Sequence, residues 1–175
     1  MPVNILVSNN PRLVIVGGGF AGIKLARRLK NAEFQIVMID RNNYHTFQPL
    51  LYQGATGGLE PDSIGYPLRK VFKHQDNFIF RMAEVVRINP EKNAIETSIG
   101  EVGYDYLVIA VGSKTNYFGM ADMEKYAMPM KTIPQAMELR NLILQNFEKA
   151  LLTNDVEDQQ GLMDFVVVGG GPTGV

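Results

Sequence analysis

Two stretches of this chain carry the same spacing of glycines at the end of an apolar run. The first reads Leu13-Val14-Ile15-Val16-Gly17-Gly18-Gly19-Phe20-Ala21-Gly22, the second Phe165-Val166-Val167-Val168-Gly169-Gly170-Gly171-Pro172-Thr173-Gly174, with Val175 after it. In each, a run long enough for a buried parallel strand feeds a G-x-G-x-x-G turn that opens a helix. Such a turn offers backbone amides and the positive end of a helix dipole to an anion, which suits recognition of a dinucleotide pyrophosphate. Two dinucleotides are implied.

The first copy comes with every element needed to position it. Gly17 permits the tight turn out of the strand, Gly19 lets a pyrophosphate approach where a Cβ would stand, and Gly22 lets the helix pack closely on the strand. The helix expected over 21–30 places Ile23, Leu25, Ala26 and Leu29 on an inner stripe, leaving Lys24, Arg27, Arg28 and Lys30 to solvent. A second apolar run over 34–39 ends in Asp40, about twenty residues past the glycines, where an acid receives ribose hydroxyls. A lone glycine turn occurs in many folds; strand, glycines, amphipathic helix, strand and terminal acid in this order are far more specific.

Composition sets bounds. The chain of 175 residues is 46% hydrophobic and 20% charged, ordinary for a packed globule. Seventeen Lys and Arg against eighteen Asp and Glu give a net charge of −1, so no basic field exists to hold nucleic acid. With no cysteine, the chain has no disulfide, thiolate metal site or dithiol redox pair. The first eleven residues lack the pattern of a signal peptide, and no apolar stretch nears the roughly 20 residues that span a bilayer. The simplest expectation from these features is a soluble cytoplasmic chain. His45 and His74, the only histidines, have no partner at ligand spacing, so no metal site is expected; His45 either touches the cofactor or faces solvent. Asp122, Glu124, Glu157 and Asp158 read as solvated charges, and no acid–base or nucleophilic constellation stands out as catalytic.

Between the two signatures the pattern changes several times. Residues 41–61 read as a long loop holding Gly54, Gly57 and Gly58 among Tyr44, Phe47, Leu50, Leu51 and Tyr52. So many large apolar groups argue against disorder, leaving a functional loop or one folded back on its own core. Asp62 or Ser63 is placed to cap a short helix reaching Phe72, with Tyr66-Pro67 near its first turn. Residues 78–111 read as strand throughout: a β-rich run over 78–88, a turn cluster over 89–93, alternation over 94–99, and a buried strand over 107–111 ending at Gly112-Ser113. This meander stands where a plain dehydrogenase domain would place another helical crossover. Residues 134–152 predict an amphipathic helix with Ala136, Leu139, Leu142, Ile143, Phe147, Ala150 and Leu151 inward, followed by a polar linker over 154–161.

The order of glycine turn, strand-end acid, meander, strand running into a glycine, and second glycine turn resembles the two-dinucleotide-binding flavoprotein reductases. Within them, the run Asp40-Arg41-Asn42-Asn43-Tyr44-His45-Thr46-Phe47-Gln48-Pro49-Leu50-Leu51-Tyr52-Gln53, then Ala55-Thr56-Gly57-Gly58-Leu59, resembles the N-terminal part of the type II, non-proton-pumping NADH dehydrogenases (NADH:quinone oxidoreductases). The resemblance covers nearly the whole chain, and the Gln-Pro-Leu-Leu-Tyr run is much more specific than the glycines. It implies an α/β fold: a Rossmann-like FAD-binding domain with a parallel sheet and an added β-meander, truncated at the start of a second Rossmann domain. The expected division is a tail over 1–10, the first FAD-binding segment over 11–116, a connecting segment over 117–163, and the first strand and turn of an NADH-binding domain over 164–175.

What the resemblance implies for sites falls on matching positions. Gly17, Gly18, Gly19, Phe20, Ala21 and Gly22 hold the FAD pyrophosphate; Asp40 and Arg41 the adenosine ribose and adenine; the Val85 backbone the adenine; Ala110 and Gly112 the middle of the cofactor. Gln48 and Leu50 lie toward the isoalloxazine, and Gly169, Gly171 and Gly174 meet NADH. The strand-end motif departs from the usual Ala-Thr-Gly, reading Ala110-Val111-Gly112, so a threonine hydrogen bond is lost. The resemblance further implies electron flow from NADH through FAD to a quinone, with the complete enzyme peripheral on the cytoplasmic membrane face, held there by a C-terminal segment not in this sequence, and with a homodimer left open. The chain as given is then expected to lack turnover of its own. Another flavin reductase of this fold (a ferredoxin, nitrite or sulfide:quinone reductase, the last normally using cysteines) or a non-catalytic nucleotide-binding module are the alternatives.

Overall fold

A computed structural model describes residues 3–171. In chain order its elements are β1 (Arg12–Val16), α1 (Phe20–Arg28), β2 (Gln35–Asp40), β3 (Tyr44–Thr46), a 3-10 turn (Gln48–Leu50), α2 (Leu51–Ala55), α3 (Pro61–Ile64), β4 (Gly65–Pro67), α4 (Leu68–Val71), β5 (Phe78–Met82), β6 (Val85–Asn89), β7 (Ala94–Thr97), β8 (Gly100–Gly103), β9 (Tyr106–Ile109), α5 (Ala121–Tyr126), α6 (Ile133–Ala150) and α7 (Val156–Met163). The chain divides into two compact units, one from the residues up to His45 together with Tyr66–Ser113, the other from Thr46–Gly65 together with Lys114 onward.

The first unit is built on a parallel sheet of order β5-β2-β1-β9. The two central strands, β1 and β2, are buried at nearly every position because both their faces are covered. The buried strand expected over 107–111 is instead an edge strand, β9, paired among the described strands with β1 alone and leaving Ile109 62% and Val111 66% exposed. Leu13, Ile15, Ile36, Met38 and Phe80 point to one side, packing with Ala26 of α1 and with Leu68 and Phe72. Val14, Val16, Val37 and Ile39 point to the other, packing with Ile95 of β7 and Val102 of β8. The period of two thus assigns alternate residues of each strand to a helical layer and to an antiparallel layer of order β6-β7-β8. The meander stands as its own layer, where the sequence placed it. One boundary moves: the β-rich run over 78–88 is cut at Ala83, whose amide donates to the Asp40 carbonyl at 2.9 Å, so Phe78–Met82 joins the parallel sheet and only β6 enters the meander. Helix α1 buries Ala26 and packs Ile23, Leu25 and Leu29 on the core, the stripe its sequence spaces out.

The helix expected over 62–72 does not run through. Gly65–Pro67 is extended between two single turns, because the residue before a proline is driven out of the helical region. The cap position is Glu60, which makes no side-chain capping bond, so neither Asp62 nor Ser63 caps it.

In the second unit, residues 46–61 of the expected loop hold structure of their own. Leu51 and Ala55 of α2 form a core cluster with Ile64 and Ala136 of α6, so this stretch folds back on its core. Helix α6 begins with a reciprocal cap: the Gln135 amide donates to the Thr132 hydroxyl at 3.4 Å and the Thr132 amide to the Gln135 side chain at 3.2 Å. Its expected inner stripe holds at Ala136, Leu139 and Ala150 but not at Leu142, Phe147 and Leu151, which are exposed. The expected linker over 154–161 is instead largely the helix α7, capped by Asp155, whose carboxylate accepts from the amides of Glu157 and Asp158. Its weak apolar pattern hides a helix that the cap nucleates. Among the described residues no helix is long and apolar enough to cross a membrane.

Candidate functional site

Four parallel strands end along one edge of the sheet, at Val16, Asp40, Met82 and Ile109. The chain runs from β1 to β2 on one side, and later places β9 on the other side of β1. Connections therefore leave β1 in opposite directions, opening a crevice beyond the strand ends between β1 and β9, where ligands of open α/β sheets bind. The first glycine turn occupies this crevice.

Its glycines differ in what surrounds them. Gly17 adopts φ +110° and donates its amide to the Ile39 carbonyl at 2.8 Å; a Cβ there would overlap the Ala110 carbonyl. A Cβ on Gly18 would lie 2.6 Å from Leu68 Cδ1, and one on Gly22 would overlap the Gly17 carbonyl oxygen. Gly17 and Gly22 are thus held to glycine by backbone, whereas a side chain at Gly18 would have to displace that of the buried Leu68. At Gly19 a Cβ would meet only the Ala110 oxygen, 4.0 Å away, so the protein leaves the space beside it open. Gly19 is the cap position of α1, no side chain caps that end, and its first turn holds no acid while Arg27 and Arg28 stand in the last. The arrangement is a cradle for an anion: an open approach, a helix N-terminus and no competing carboxylate in the first turn.

Asp40 lies beside this turn, half-buried at the end of β2. Its Oδ2 accepts from the Gly18 amide at 2.6 Å and its Oδ1 from the Asn42 amide at 2.7 Å. A carboxylate has about four lone-pair sites, so capacity remains for ribose hydroxyls. The sequence marked the acid without marking these two amides. Opposite it, His45 Nδ1 lies 3.1 Å from the Gly18 carbonyl, and the His45 ring meets Phe20 edge-on at 4.8 Å. His45 thus faces the first glycine turn, a contact that the sequence left open between cofactor and solvent.

The remaining positions divide. Ala110 donates its amide to the Val16 carbonyl at 2.8 Å, which sets its own carbonyl against Gly17. Gly112 adopts φ +75° with open space around it, so the Ala-Val-Gly strand end needs its glycine, while Val111 is exposed. Val85 opens β6 and lines, with Val16, Ile109 and Val111, an apolar hollow of about 370 Å³. Arg41 is exposed next to Asp40. Phe20 and Ala21 begin α1 at the surface. Gln48 and Leu50 belong to the second unit, Gln48 exposed and Leu50 packed on the cluster of Leu51 and Ile64.

The second glycine signature is formed only in part. Gly169 adopts φ +108°, close to the +110° of Gly17, but nothing comes within 4 Å of where Cβ atoms would stand on Gly169, Gly170 or Gly171. Phe165, Val166, Val167 and Val168 are 53% to 87% exposed and form no strand, contrary to the buried strand expected. No described strand pairs with this run, and a lone extended segment cannot satisfy its amides and carbonyls in a sheet. Gly174 lies outside the described residues.

The pattern of the pyridine nucleotide-disulphide oxidoreductases matches residues 11–175. The chain belongs to that family. Within it, this member is 38% identical over 173 residues to the type II NADH:quinone oxidoreductase NdhA of Mycobacterium tuberculosis, an alignment that takes in 97% of this chain and 37% of that protein. Its fold is similar to NDH2 of Plasmodium falciparum in complex with NADH, with a TM-score of 0.77 and 28% identity over 87% of this chain and 32% of the other. It is also similar to the sulfide:quinone oxidoreductase of Aquifex aeolicus, with a TM-score of 0.71 and 29% identity over 79% and 32% of the two chains. The resemblance read from the Gln-Pro-Leu-Leu-Tyr run and the α/β fold are thereby borne out. The chain spans about a third of the length of the relatives it matches. The family's name includes a disulphide, whereas this chain contains no cysteine.

Proposed function

We propose that this chain supplies the FAD-binding portion of a type II NADH:quinone oxidoreductase. The observation that carries the reading is Gly19: of the glycines in the turn, it alone has open space beside it, as a pyrophosphate requires. FAD, rather than NAD, suits the site because a β-meander stands on the sheet face where a dehydrogenase domain places a helix.

Residues 17–22 hold the pyrophosphate through amides and the α1 dipole. Asp40 accepts from the adenosine ribose with Arg41 beside the adenine, and the Val85 backbone meets the adenine edge. Ala110 and Gly112 pass along the middle of the cofactor, Gln48 and Leu50 serve its isoalloxazine end, and Gly169, Gly171 and Gly174 serve NADH. Flavin supplies the chemistry that the side chains lack, accepting a hydride from NADH and yielding its electrons to a quinone. The protein's part is to hold the dinucleotide in register, since hydride transfer depends on close alignment. A quinone acceptor, which dissolves in the bilayer, suits a complete protein that works at a membrane surface, which this reading takes to be the cytoplasmic one.

The test is NADH oxidation by the complete FAD-loaded protein with a soluble quinone, compared with Gly19→Val. The variant is expected to lose at least tenfold in retained FAD and in turnover while the FAD-free protein still folds; undiminished turnover contradicts the reading. A second reading, sulfide as the electron donor, draws on the likeness to the Aquifex enzyme. Sulfide-dependent quinone reduction exceeding the NADH-dependent rate decides for it, against the absence of cysteine in this chain.

A further inference from the structure

We infer that His45 is a positioning residue for the dinucleotide turn, holding the Gly18–Gly19 peptide so that the Gly19 amide faces the pyrophosphate. The inference rests on the reading of residues 17–22 as the FAD turn. A carbonyl oxygen only accepts, so the 3.1 Å approach of His45 Nδ1 to the Gly18 carbonyl requires the proton on Nδ1. The Gly18 C=O and the Gly19 N–H belong to one planar, trans peptide group and point in opposite directions. A bond that fixes the first therefore aims the second.

The neighbouring peptide is fixed as well, since the Gly18 amide donates to Asp40 Oδ2 at 2.6 Å. Asp40 and His45 thus grip Gly18 at its amide and its carbonyl. Leu68 closes the third side, standing 2.6 Å from where a Gly18 Cβ would lie. Such a grip matters here because residues 17–19 are all glycine, the residue type whose peptides rotate most freely. Unheld, the Gly18–Gly19 peptide can turn its carbonyl toward the phosphates, replacing a donor with a repelling dipole. The edge-on contact of Phe20 with the His45 ring at 4.8 Å and 83° keeps the imidazole in place.

Two measurements on the complete protein test this. In the complete protein labelled with 15N-histidine, in alkaline buffer, the ring nitrogen resonances of His45 are identified by their loss in His45→Gln and are expected to show the Nδ1–H tautomer, with and without FAD. The Nε2–H tautomer overturns the inference without reference to FAD. In FAD titrations, His45→Phe keeps the ring and removes the donor, whereas His45→Asn restores a donor at nearly the same place. We expect about a five-fold loss of FAD affinity in the first and less than two-fold in the second. Equal affinity in both variants and the unmodified protein overturns the inference alone. Failure of the unmodified protein to bind FAD overturns the functional reading and this inference together.

Discussion

Asp40 shows how one side chain serves both the protein and the ligand. Its carboxylate already accepts from the amides of Gly18 and Asn42, so removing it costs more than a ribose contact. Hydrogen bonds to a charged group are worth roughly 1.5–3 kcal/mol, and Asp40→Ala is expected to weaken FAD at least tenfold in equilibrium dialysis. An effect below two-fold makes Asp40 a strand-end turn residue only. The acid itself was legible, because its distance from the glycines is fixed by the length of one helix and one strand. The grip of Asp40 and His45 on Gly18 was not, since it depends on how the chain after β2 doubles back toward the turn, which no local pattern encodes. Gly19 and Gly22 look alike in sequence and part company in space. A side chain at Gly19 has room in the free protein, whereas one at Gly22 overlaps the Gly17 carbonyl. Gly22→Ala is therefore expected to lower the melting temperature of the FAD-free protein, with at least the roughly 1–3 kcal/mol of an overpacked core, and by more than Gly19→Val, which costs only the preference of a helix cap for glycine over valine. Equal thermal stability of the two variants contradicts this division of labour.

Among elements, the central strands β1 and β2 were the most legible, because burial on both faces writes a continuous apolar run into each, whereas the equally apolar run of β9 lies at the sheet edge and is partly exposed. Strand β7 is a different case: Ile95 is fully buried against Val14, Val37 and Ile39, whereas Glu96 beside it is not. Ile95→Ala removes the side chain that fastens the meander to the sheet and is expected to destabilise by about 2–5 kcal/mol, measured by denaturant unfolding. A loss under 1 kcal/mol contradicts the three-layer packing. Elements of a single turn were not legible. Helix α2 lies in a stretch that reads as loop, and it is held by tertiary packing: a Cβ on Gly54 would come within 2.7 Å of Ile64 and 3.2 Å of Met137. The helix expected over 62–72 failed at Tyr66-Pro67 for a reason that the sequence does state, since proline restricts the residue before it.

At the scale of the whole molecule, the two glycine signatures have the same spelling and different surroundings. The first is enclosed by β2, β9, Leu68 and His45; the second follows a run, residues 165–168, that stays exposed. Spelling alone does not carry the strand neighbours that turn an apolar run into a buried strand. Four consecutive exposed β-prone residues without a charge are an association hazard. Val167→Glu is accordingly expected to raise the soluble concentration of this chain several-fold in light-scattering measurements without moving its melting temperature, and unchanged association contradicts this. The net charge of −1 leaves no general attraction for polyanions, so dinucleotide binding must come from local groups, the turn first among them. The most direct test is a competitive titration of the FAD-free protein with FAD, its ADP half and NADH. The account predicts that FAD binds more tightly than NADH, with ADP competing for the same site and Gly19→Val abolishing both FAD and ADP binding. Tighter binding of NADH than of FAD, or FAD affinity untouched by Gly19→Val, contradicts it.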